Sequence, residues 1–365
     1  MEKVFDIHAH YTYEIPLPET IALFRREFSE MGVEKCCFLS IPQDIKGGKY
    51  LFDGMQNIKG LFLKRAFAPN GYAFAGLEHP FDHSDEEGIS KDFEKQAEKY
   101  LSVGYDGMKM LEGYPSLLKA WKTVPLDSVI YDRFYSFMEE NGYPIIMHAG
   151  NPTENWDIST ASQDAIRAGR VYDSSYPTKA EITAQVFGVL KKHPKLKLAL
   201  AHWGFMSDEK ENAERFLGEY ENTIFDITPG GEQFLNMGKD WSYWLKFIEK
   251  YQERIVYGTD TYAFPCGEET SWREWFWRRP KLIRQFFETD TEHEYLGEKF
   301  CGVKLDEKLR RKIYWENAER LLAEPKKIDD NYILKTAESL VGTTQKSVCA
   351  NEDLQYIIKT VSKGK

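Results

Sequence analysis

Eight short apolar segments, each followed by a stretch of helical periodicity, constrain the fold of this 365-residue chain more than any other feature. The segments are VFDIHAH (4–10), KCCFLSIP (35–42), AFAGLEHP (73–80), GMKMLE (107–112), PIIMHAG (144–150), LKLALAHWG (196–204), TIFDITPG (223–230) and RIVYGTDTY (254–262). This alternation predicts a parallel sheet covered by helices, because parallel strands need crossover connections. Eight repeats at this spacing favour a (β/α)8 TIM barrel. An open doubly wound sheet is less favoured, since neither GxGxxG nor GxxxxGK[ST] follows a strand.

The barrel pattern ends close to residue 323. The eighth apolar segment is followed by an aromatic and basic stretch, SWREWFWRRPKLIRQFFE, and then by a last helical pattern, DEKLRRKIYWENAERLL. We therefore expect a barrel domain over residues 1–323 and a C-terminal tail over residues 324–365. The tail contains two short helical patterns, which we expect to dock on the barrel as a helical extension.

Charge and composition exclude several classes of partner. The chain has 48 Lys and Arg against 58 Asp and Glu, a net charge of −10, which argues against binding to nucleic acid or to an anionic membrane surface. No apolar stretch is long enough to span a bilayer, and the charged start MEKVFD does not resemble a signal peptide. The five cysteines, Cys36, Cys37, Cys266, Cys301 and Cys349, include no CxxC pair. These features predict a cytoplasmic protein with reduced thiols.

Four of the eight histidines stand at or near the carboxyl ends of apolar segments. These are His8 and His10, His148, and His202, and Asp260 ends the eighth segment in the same way. Active sites of barrels are built at that end, where the loops that follow the strands converge. A single histidine would more often be a core residue, but five matched positions favour a metal site. Three imidazoles and a carboxylate suit zinc or another divalent transition metal.

This ordered set resembles the metal-dependent amidohydrolase superfamily, and IYWENAERLL is similar to the closing helix of its amidohydrolase-related branch. That branch contains hydrolases and also decarboxylases similar to aminocarboxymuconate semialdehyde decarboxylase. The resemblance covers roughly residues 4–323. It implies that His8, His10, His148 and Asp260 bind one divalent metal, zinc before manganese, iron or cobalt. It also implies that His202 hydrogen-bonds the water activated by the metal or polarises the substrate.

Lys109, in the fourth segment, has three alternative interpretations. Binuclear members of the superfamily carry a carboxylated lysine on this strand, which bridges two metals. A free ammonium would instead bind a substrate carboxylate. The third interpretation is an ordinary strand residue paired with Glu112, Glu78 or Asp226. We favour a site with one metal. Asp6 is predicted on the same face of the strand as His8 and His10. Its carboxylate could therefore accept a hydrogen bond from a ligating imidazole, or it could accept hydrogen bonds from backbone amides.

The main hypothesis is a hydrolase that cleaves a C–N or C–O bond in a small molecule, with Asp260 moving the proton from water to the leaving group. The alternative is a nonoxidative decarboxylase of a small aromatic or enoic acid, whose carboxylate would be held by Lys109, Asn151 or an arginine of RRP. A second alternative is an inactive barrel that acts as a binding module. The long loop over residues 151–178 is the expected lid. Family analogy and the aromatic stretch SWREWFWRRP suggest a homodimer.

Overall fold

The computed structural model describes residues 2–12, 14–46, 49–121, 124–230, 232–262, 272–295, 297–343 and 349–363. Eight parallel strands form one sheet in sequence order, with helices between them. The strands are β1 (Val4–Ala9), β2 (Val33–Leu39), β3 (Gly71–Gly76), β4 (Gly107–Gly113), β5 (Ile145–Ala149), β6 (Leu198–Leu200), β7 (Thr223–Asp226) and β8 (Ile255–Val256). Each strand lies within or beside one of the eight apolar segments. The prediction of a (β/α)8 barrel with C-terminal helices is confirmed.

The first and last strands meet and complete the barrel. The Ile7 amide donates to the Tyr257 carbonyl at 3.1 Å, and the Asp260 amide donates to the His8 carbonyl at 2.7 Å. A further bridge pairs Ala9 with Thr261. These bonds place the end of β8 directly beside the end of β1. The carboxylate of Asp260 is thereby brought next to the two histidines of β1.

Helices cover the outside of the sheet. They are Leu17–Met31, Gln56–Ala66, Glu86–Val103, Pro115–Ala120, Asp132–Glu140, Gln163–Arg167, Lys179–Lys192, Lys210–Glu219, Gln233–Lys239, Trp241–Lys250, Trp272–Glu288, Glu307–Arg311 and Asn317–Leu322, with Asp330–Leu340 and Ala350–Lys363 in the tail. Their starts follow ordinary capping chemistry: Thr178 and Glu181 form a reciprocal capping box, and Asp85 caps the helix that begins at Glu86. No helix in the described ranges is long and apolar enough to cross a membrane.

Two hairpins were not predicted from the sequence. Gln43–Lys46 pairs with Lys49–Phe52 in the connection after β2, and Glu292–Tyr295 pairs with Glu298–Cys301 before the last barrel helix. Both lie in loops, and their four-residue strands are shorter than the apolar segments used to find the barrel strands. The free thiols among the described residues are Cys36, Cys37, Cys301 and Cys349. Cys266 lies outside the described residues, as does Ser271, the first residue of the stretch SWREWFWRRP.

Two layers of apolar side chains hold the barrel together. The larger layer lies between the sheet and the helices. The smaller cluster fills the barrel interior from alternate strand residues, among them Phe5, Ile7, Cys37, Leu39, Phe74 and Ile146. Helix Asn317–Leu322 contributes Ala318 and Leu322 to this smaller cluster. The apolar filling leaves polar side chains at the carboxyl ends of the strands, where the candidate site lies.

The last helix of the tail holds the loop that follows β1 through a buried ion pair. Lys59 and Asp353 are both fully buried, and the Lys59 ammonium lies 2.7 Å from the Asp353 carboxylate. Lys59 also donates to the Thr12 carbonyl at 3.1 Å, and Asp353 accepts from the Leu17 amide at 2.6 Å. Thr12 is two residues beyond His10. The tail therefore supports the loop that leaves the candidate site.

Replacing Asp353 with Asn should destabilise the fold strongly, because it leaves the Lys59 charge buried without its partner. We expect a loss of about 3 kcal/mol in the free energy of unfolding. Asp330→Asn is the matched control, since it breaks the tail's exposed pair with Arg65 and should cost under about 1 kcal/mol. Urea denaturation measures both. Equal losses in the two variants would contradict the role assigned to the buried pair.

Candidate metal centre at the barrel mouth

His8, His10 and Asp260 form a compact group of potential metal ligands at the carboxyl ends of β1 and β8. The two Nε2 atoms are 3.1 Å apart, and Asp260 Oδ1 lies 3.3 Å from His10 Nε2 and 3.7 Å from His8 Nε2. Ligands bound about 2.1 Å from a tetrahedral ion lie roughly 3.4 Å from one another. The spacing of these three atoms therefore fits a shared transition-metal ion.

The hydrogen bonds of the two rings determine which nitrogens face each other. His10 Nδ1 lies 2.9 Å from the Leu39 carbonyl oxygen, which only accepts, so this nitrogen carries a proton. His8 Nδ1 lies 2.5 Å from Asp226 Oδ2, and its N–H donates a hydrogen bond to this carboxylate oxygen. In the neutral rings both Nε2 atoms then carry lone pairs, which point toward each other and toward Asp260. Three acceptors this close repel one another unless a cation lies between them.

Burial keeps the imidazoles neutral, which is the form that binds metals. Burial lowers the pKa of His10 to about 4, although Asp260 opposes the shift. The pKa of His8 falls well below its ordinary value, through burial and then through the nearby Lys109. Asp260 behaves in the opposite way: burial raises its pKa, but Arg279 and the imidazoles outweigh burial and leave the pKa below the usual range. The group thus presents two neutral nitrogens and an ionised carboxylate at neutral pH.

Asp226 orients His8, a role that the sequence analysis did not assign. It ends β7, and its other oxygen accepts from the Thr228 amide at 2.7 Å and from the Thr228 hydroxyl at 2.5 Å. Gly258 makes this packing possible, because a Cβ there would lie 2.4 Å from Asp226 Oδ1 and 2.8 Å from His8 Cβ. A carboxylate on the far nitrogen of a ligating imidazole fixes its tautomer and raises its basicity.

Arg279 orients Asp260. Its guanidinium lies 2.6 Å from Asp260 Oδ2 and donates to the Asp260 backbone carbonyl at 2.7 Å. This leaves Oδ1 to face the histidines. Arg279 belongs to the RRP motif, whose arginines the sequence suggested as substrate ligands; this one is instead bound to Asp260. The backbone of Asp260 has φ 51°, a left-handed conformation that is uncommon for residues other than glycine.

His202 lies on a strained turn that follows β6. Four consecutive residues, His202 to Phe205, have positive φ between 54° and 59°, and three of them are not glycine. Trp203 is fully buried and stacks on Phe225 at 4.7 Å, which anchors the turn. The turn directs the His202 ring to 5.4 Å from the His8 ring, between centroids. Its Nδ1 is buried and has no hydrogen-bond partner among the described residues. Such backbone strain is concentrated at functional sites.

His148 lies beside the group but is not part of it. Its ring centroid is 4.9 Å from that of His202, and its Nε2 bonds the Gly150 carbonyl at 2.9 Å. The ligand atoms that lie within 4.8 Å of one another come from His8, His10 and Asp260. The structure therefore brings together three of the four ligands inferred from the resemblance. Metal binding by His148 remains a prediction.

Lys109 extends into the same site from β4. Its ammonium is buried, and the part of the chain that the structure describes offers it no hydrogen-bond partner. Burial lowers its pKa to about 8, although Asp260, Asp226 and Glu112 oppose the shift. Of the interpretation that pairs Lys109 with Glu112, Glu78 or Asp226, the described residues show charge interactions with Asp226 and Glu112 but no hydrogen bond. A free cationic donor beside a ligand group is available for a substrate or for carboxylation.

Two other expected residues have different partners. A register shift between Asp6 and Ala9 breaks the regular alternation of the strand. The two-residue spacing of Asp6 and His8 therefore no longer implies that they share one face. Asp6 accepts from the Thr259 hydroxyl at 2.6 Å and from the amides of His8 and Thr259, so of its two predicted roles the structure shows bonding to backbone. Asn151 is buried and donates to the Tyr172 hydroxyl at 2.7 Å.

Comparison with known proteins identifies the family. The sequence matches the amidohydrolase family over residues 83–323, more than half of the chain, so the chain belongs to this family. This confirms the resemblance seen in the sequence. No curated protein sequence matches the chain.

Solved structures with the same fold have low sequence identity to this chain. An uncharacterised TIM-barrel protein from Bordetella bronchiseptica is 16% identical over 88% of this chain and 99% of its own, with a TM-score of 0.53. 4-Oxalomesaconate hydratase from Rhodopseudomonas palustris is 14% identical over 92% and 98%, with a TM-score of 0.51. 2,6-Dihydroxybenzoate decarboxylase from Rhizobium is 14% identical over 88% and 99%, with a TM-score of 0.50. These similarities establish the fold alone.

Replacing Lys109 with Met should make the metal-free protein more stable at pH 7. The unfolded lysine keeps its proton up to about pH 10.5, whereas the folded one loses it near pH 8. The wild-type free energy of unfolding should therefore rise between pH 8 and pH 10.5, by roughly 3 kcal/mol for a shift of this size. Below pH 8 the variant avoids the whole penalty.

Urea denaturation from pH 7 to pH 10.5 tests this expectation. Lys299→Met, at an exposed pair with Glu292, is the control and should keep the wild-type slope. Parallel curves for wild type and Lys109→Met would show that the buried ammonium is not strained.

Proposed function

We propose that this chain is a metal-dependent enzyme that hydrolyses a C–N or C–O bond in a small molecule. The observation that carries the proposal is the set of three acceptors, His8 Nε2, His10 Nε2 and Asp260 Oδ1, which face one another within 3.7 Å. Membership of the amidohydrolase family supports it. The third proposed imidazole is that of His148. This donor set suits zinc best, and manganese, iron or cobalt are also accepted by such ligands.

A divalent metal held by His8, His10, His148 and Asp260 would lower the pKa of a bound water toward about 7 and so would supply a nucleophile at neutral pH. Asp260 is ionised and Arg279 binds its Oδ2, so Oδ1, the ligand oxygen that faces the histidines, would also accept the proton of a water beside it through its second lone pair. The same carboxyl returns that proton to the departing nitrogen or oxygen. Arg279 keeps Asp260 in place during both transfers, because it binds the side chain and the backbone together.

His202 and Lys109 stabilise negative charge on the reacting group. The His202 ring contacts both His8 and His148, and its buried Nδ1 has no hydrogen-bond partner among the described residues, so it borders the reacting position. Lys109 supplies a buried ammonium that has no competing hydrogen bond within the described ranges. Donors fixed in a dry site before the reaction stabilise developing oxyanion charge more effectively than water does.

Nonoxidative decarboxylation of a small acid is the second candidate function. The buried ammonium of Lys109, which has no hydrogen bond to any described residue, favours a decarboxylase. An acid substrate needs such a cation to bind its carboxylate. A decarboxylase with the same fold also exists, although at 14% identity. Assays with esters, lactones and amides on one side, and measurement of CO2 release from aromatic and enoic acids on the other, separate the two functions.

Replacing Asp260 with Asn should reduce kcat by at least about 100-fold for the hydrolysed substrate, because the amide cannot accept the water proton. The variant should retain its fold, measured by circular dichroism and thermal unfolding. Asp290→Asn is the control, because it removes only an exposed pair with Lys304, and it should leave kcat close to that of wild type. Turnover within a few-fold of wild type in Asp260→Asn would exclude Asp260 as the proton carrier.

Replacing Asp226 with Asn should weaken metal binding by about 10- to 100-fold, since the amide no longer fixes the tautomer of His8. Elemental analysis and chelator competition measure this loss, and His8→Ala sets the limit of complete loss. We expect about one ion per wild-type chain. Two ions per chain would instead support a carboxylated Lys109, and no ion after reloading would remove the proposed metal chemistry.

A further inference from the structure

A second polar cluster lies at the barrel mouth around Glu112, which ends β4. The carboxylate is fully buried, and hydrogen bonds from the described residues reach only one of its oxygens. Oε1 accepts from His79 Nε2 at 2.9 Å and from Gln43 Nε2 at 3.1 Å. Oε2 has no hydrogen-bond partner within the described parts of the chain. A buried carboxylate oxygen without a donor is rare in native proteins and indicates a missing partner.

Other buried polar atoms around Glu112 share this property. Within the same described ranges, no partner is found for four further atoms: Gln43 Oε1, Tyr50 Oη, Trp121 Nε1 and Tyr131 Oη. The side chains touch one another. Trp121 stacks on His79 at 4.1 Å between centroids and contacts the Tyr50 ring at 5.2 Å. We call Gln43, Tyr50, His79, Glu112, Trp121 and Tyr131 the Glu112 cluster.

The cluster occupies the side of the mouth formed by β2, β3 and β4. Gln43 and Tyr50 lie on the hairpin after β2, and His79 follows β3. Lys109 and Glu112 both lie on β4, at positions that would face opposite sides of a regular strand. The register shift between Met110 and Gly113 removes this opposition. Burial lowers the pKa of Lys109, and the nearby Glu112 carboxylate is one of the groups that oppose this shift. Lys109 thus links the Glu112 cluster to the His8, His10 and Asp260 group.

The outer wall of the cluster reaches solvent. The Tyr50 ring contacts the Phe81 ring at 5.5 Å, and Phe81 is 78% exposed. The His79 Nδ1 bonds His83 Nε2 at 3.1 Å, and His83 is partly exposed. A small molecule entering the mouth therefore meets aromatic rings before it meets Glu112.

We propose that the Glu112 cluster is the subsite that binds the far end of the substrate, and that it takes a neutral planar group with N–H or O–H donors, such as a primary carboxamide. This inference rests on the proposed function of the metal group. Glu112 Oε2 and Gln43 Oε1 are acceptors that require donors, and Trp121 Nε1 is a donor that requires an acceptor. A carboxamide supplies both on one planar edge. A second carboxylate is excluded, because it would face the Glu112 charge.

Benzamide and N,N-dimethylbenzamide are a matched pair of probes for this subsite. Both are neutral and planar at the ring, but only benzamide has N–H donors. Ligand-observed NMR titration of metal-free wild-type protein should give a benzamide Kd in the millimolar range, and no saturable binding of the dimethyl compound. Because no metal is present, the result does not depend on the proposed chemistry.

Three variants locate the probe. In Glu112→Gln, the amide oxygen keeps the bonds to His79 and Gln43, so the amide nitrogen faces the ligand and repels its N–H. We expect the benzamide Kd to rise about tenfold. Trp121→Phe and Tyr50→Phe each remove one polar group while keeping a ring, and should each weaken binding several-fold. Glu78→Gln is the control, since Glu78 already accepts from Tyr100 at 2.6 Å. It should bind benzamide like wild type.

Thermal unfolding of each variant shows whether it is folded, and the aromatic variants test the proposal even if Glu112→Gln is unstable. Absence of benzamide binding to folded wild type would overturn the proposal. The polar atoms of the Glu112 cluster would then be taken to hydrogen-bond buried water. Equal binding by wild type and all variants would also overturn it.

Loss of metal in His8→Ala with unchanged benzamide binding would separate this subsite from the metal group. Failure of the metal chemistry with intact benzamide binding would refute only the proposed function.

Discussion

The candidate site depends on one electrostatic constraint: two imidazoles are anchored through Nδ1, so their Nε2 lone pairs face each other. Leu39 and Asp226 provide the anchors from β2 and β7, on opposite sides of β1. Without a cation between them, the two nitrogens and the Asp260 carboxylate repel one another. Three features hold this unfavourable arrangement in place. They are the buried hydrogen bonds of the two rings, the close packing of Gly258 against Asp226 and His8, and the binding of Arg279 to the side chain and backbone of Asp260. Such preorganisation reduces the rearrangement needed to bind an ion.

The barrel mouth separates into two chemically different halves. The half formed by β1, β6 and β8 gathers the acceptor atoms of a metal group and the strained turn at His202. The half formed by β2, β3 and β4 gathers buried polar atoms around Glu112 that have no hydrogen-bond partner among the described residues. Lys109 lies between the two halves, and its ammonium has no hydrogen bond to any described residue. With the proposed reactive centre on one side and the proposed subsite on the other, binding energy from the unreactive end of a substrate would orient its reacting end.

The sequence predicted the barrel well, because each strand is a local apolar run that can be recognised by itself. It also placed His8, His10 and Asp260 at one end of the barrel, since the topology brings all strand ends to the same face. It did not identify Asp226 or Arg279 as the residues that orient these groups, nor the pairing of His79 with Glu112. Those contacts join distant segments, and their geometry depends on side-chain packing. The register shift near Asp6 also changed which face that residue occupies, and strand parity alone does not reveal such a shift.

The buried pair of Lys59 and Asp353 also has a consequence for the order of folding. The two residues are 294 positions apart, so a ribosome must add 294 residues after Lys59 before its partner exists. Until then the ammonium that also holds the Thr12 carbonyl has no counter-charge, and the loop leaving His10 lacks its final support. The barrel strands near the start of the chain emerge early, because synthesis proceeds from the amino end. The loop that follows His10 is therefore completed late, after the last helix has docked.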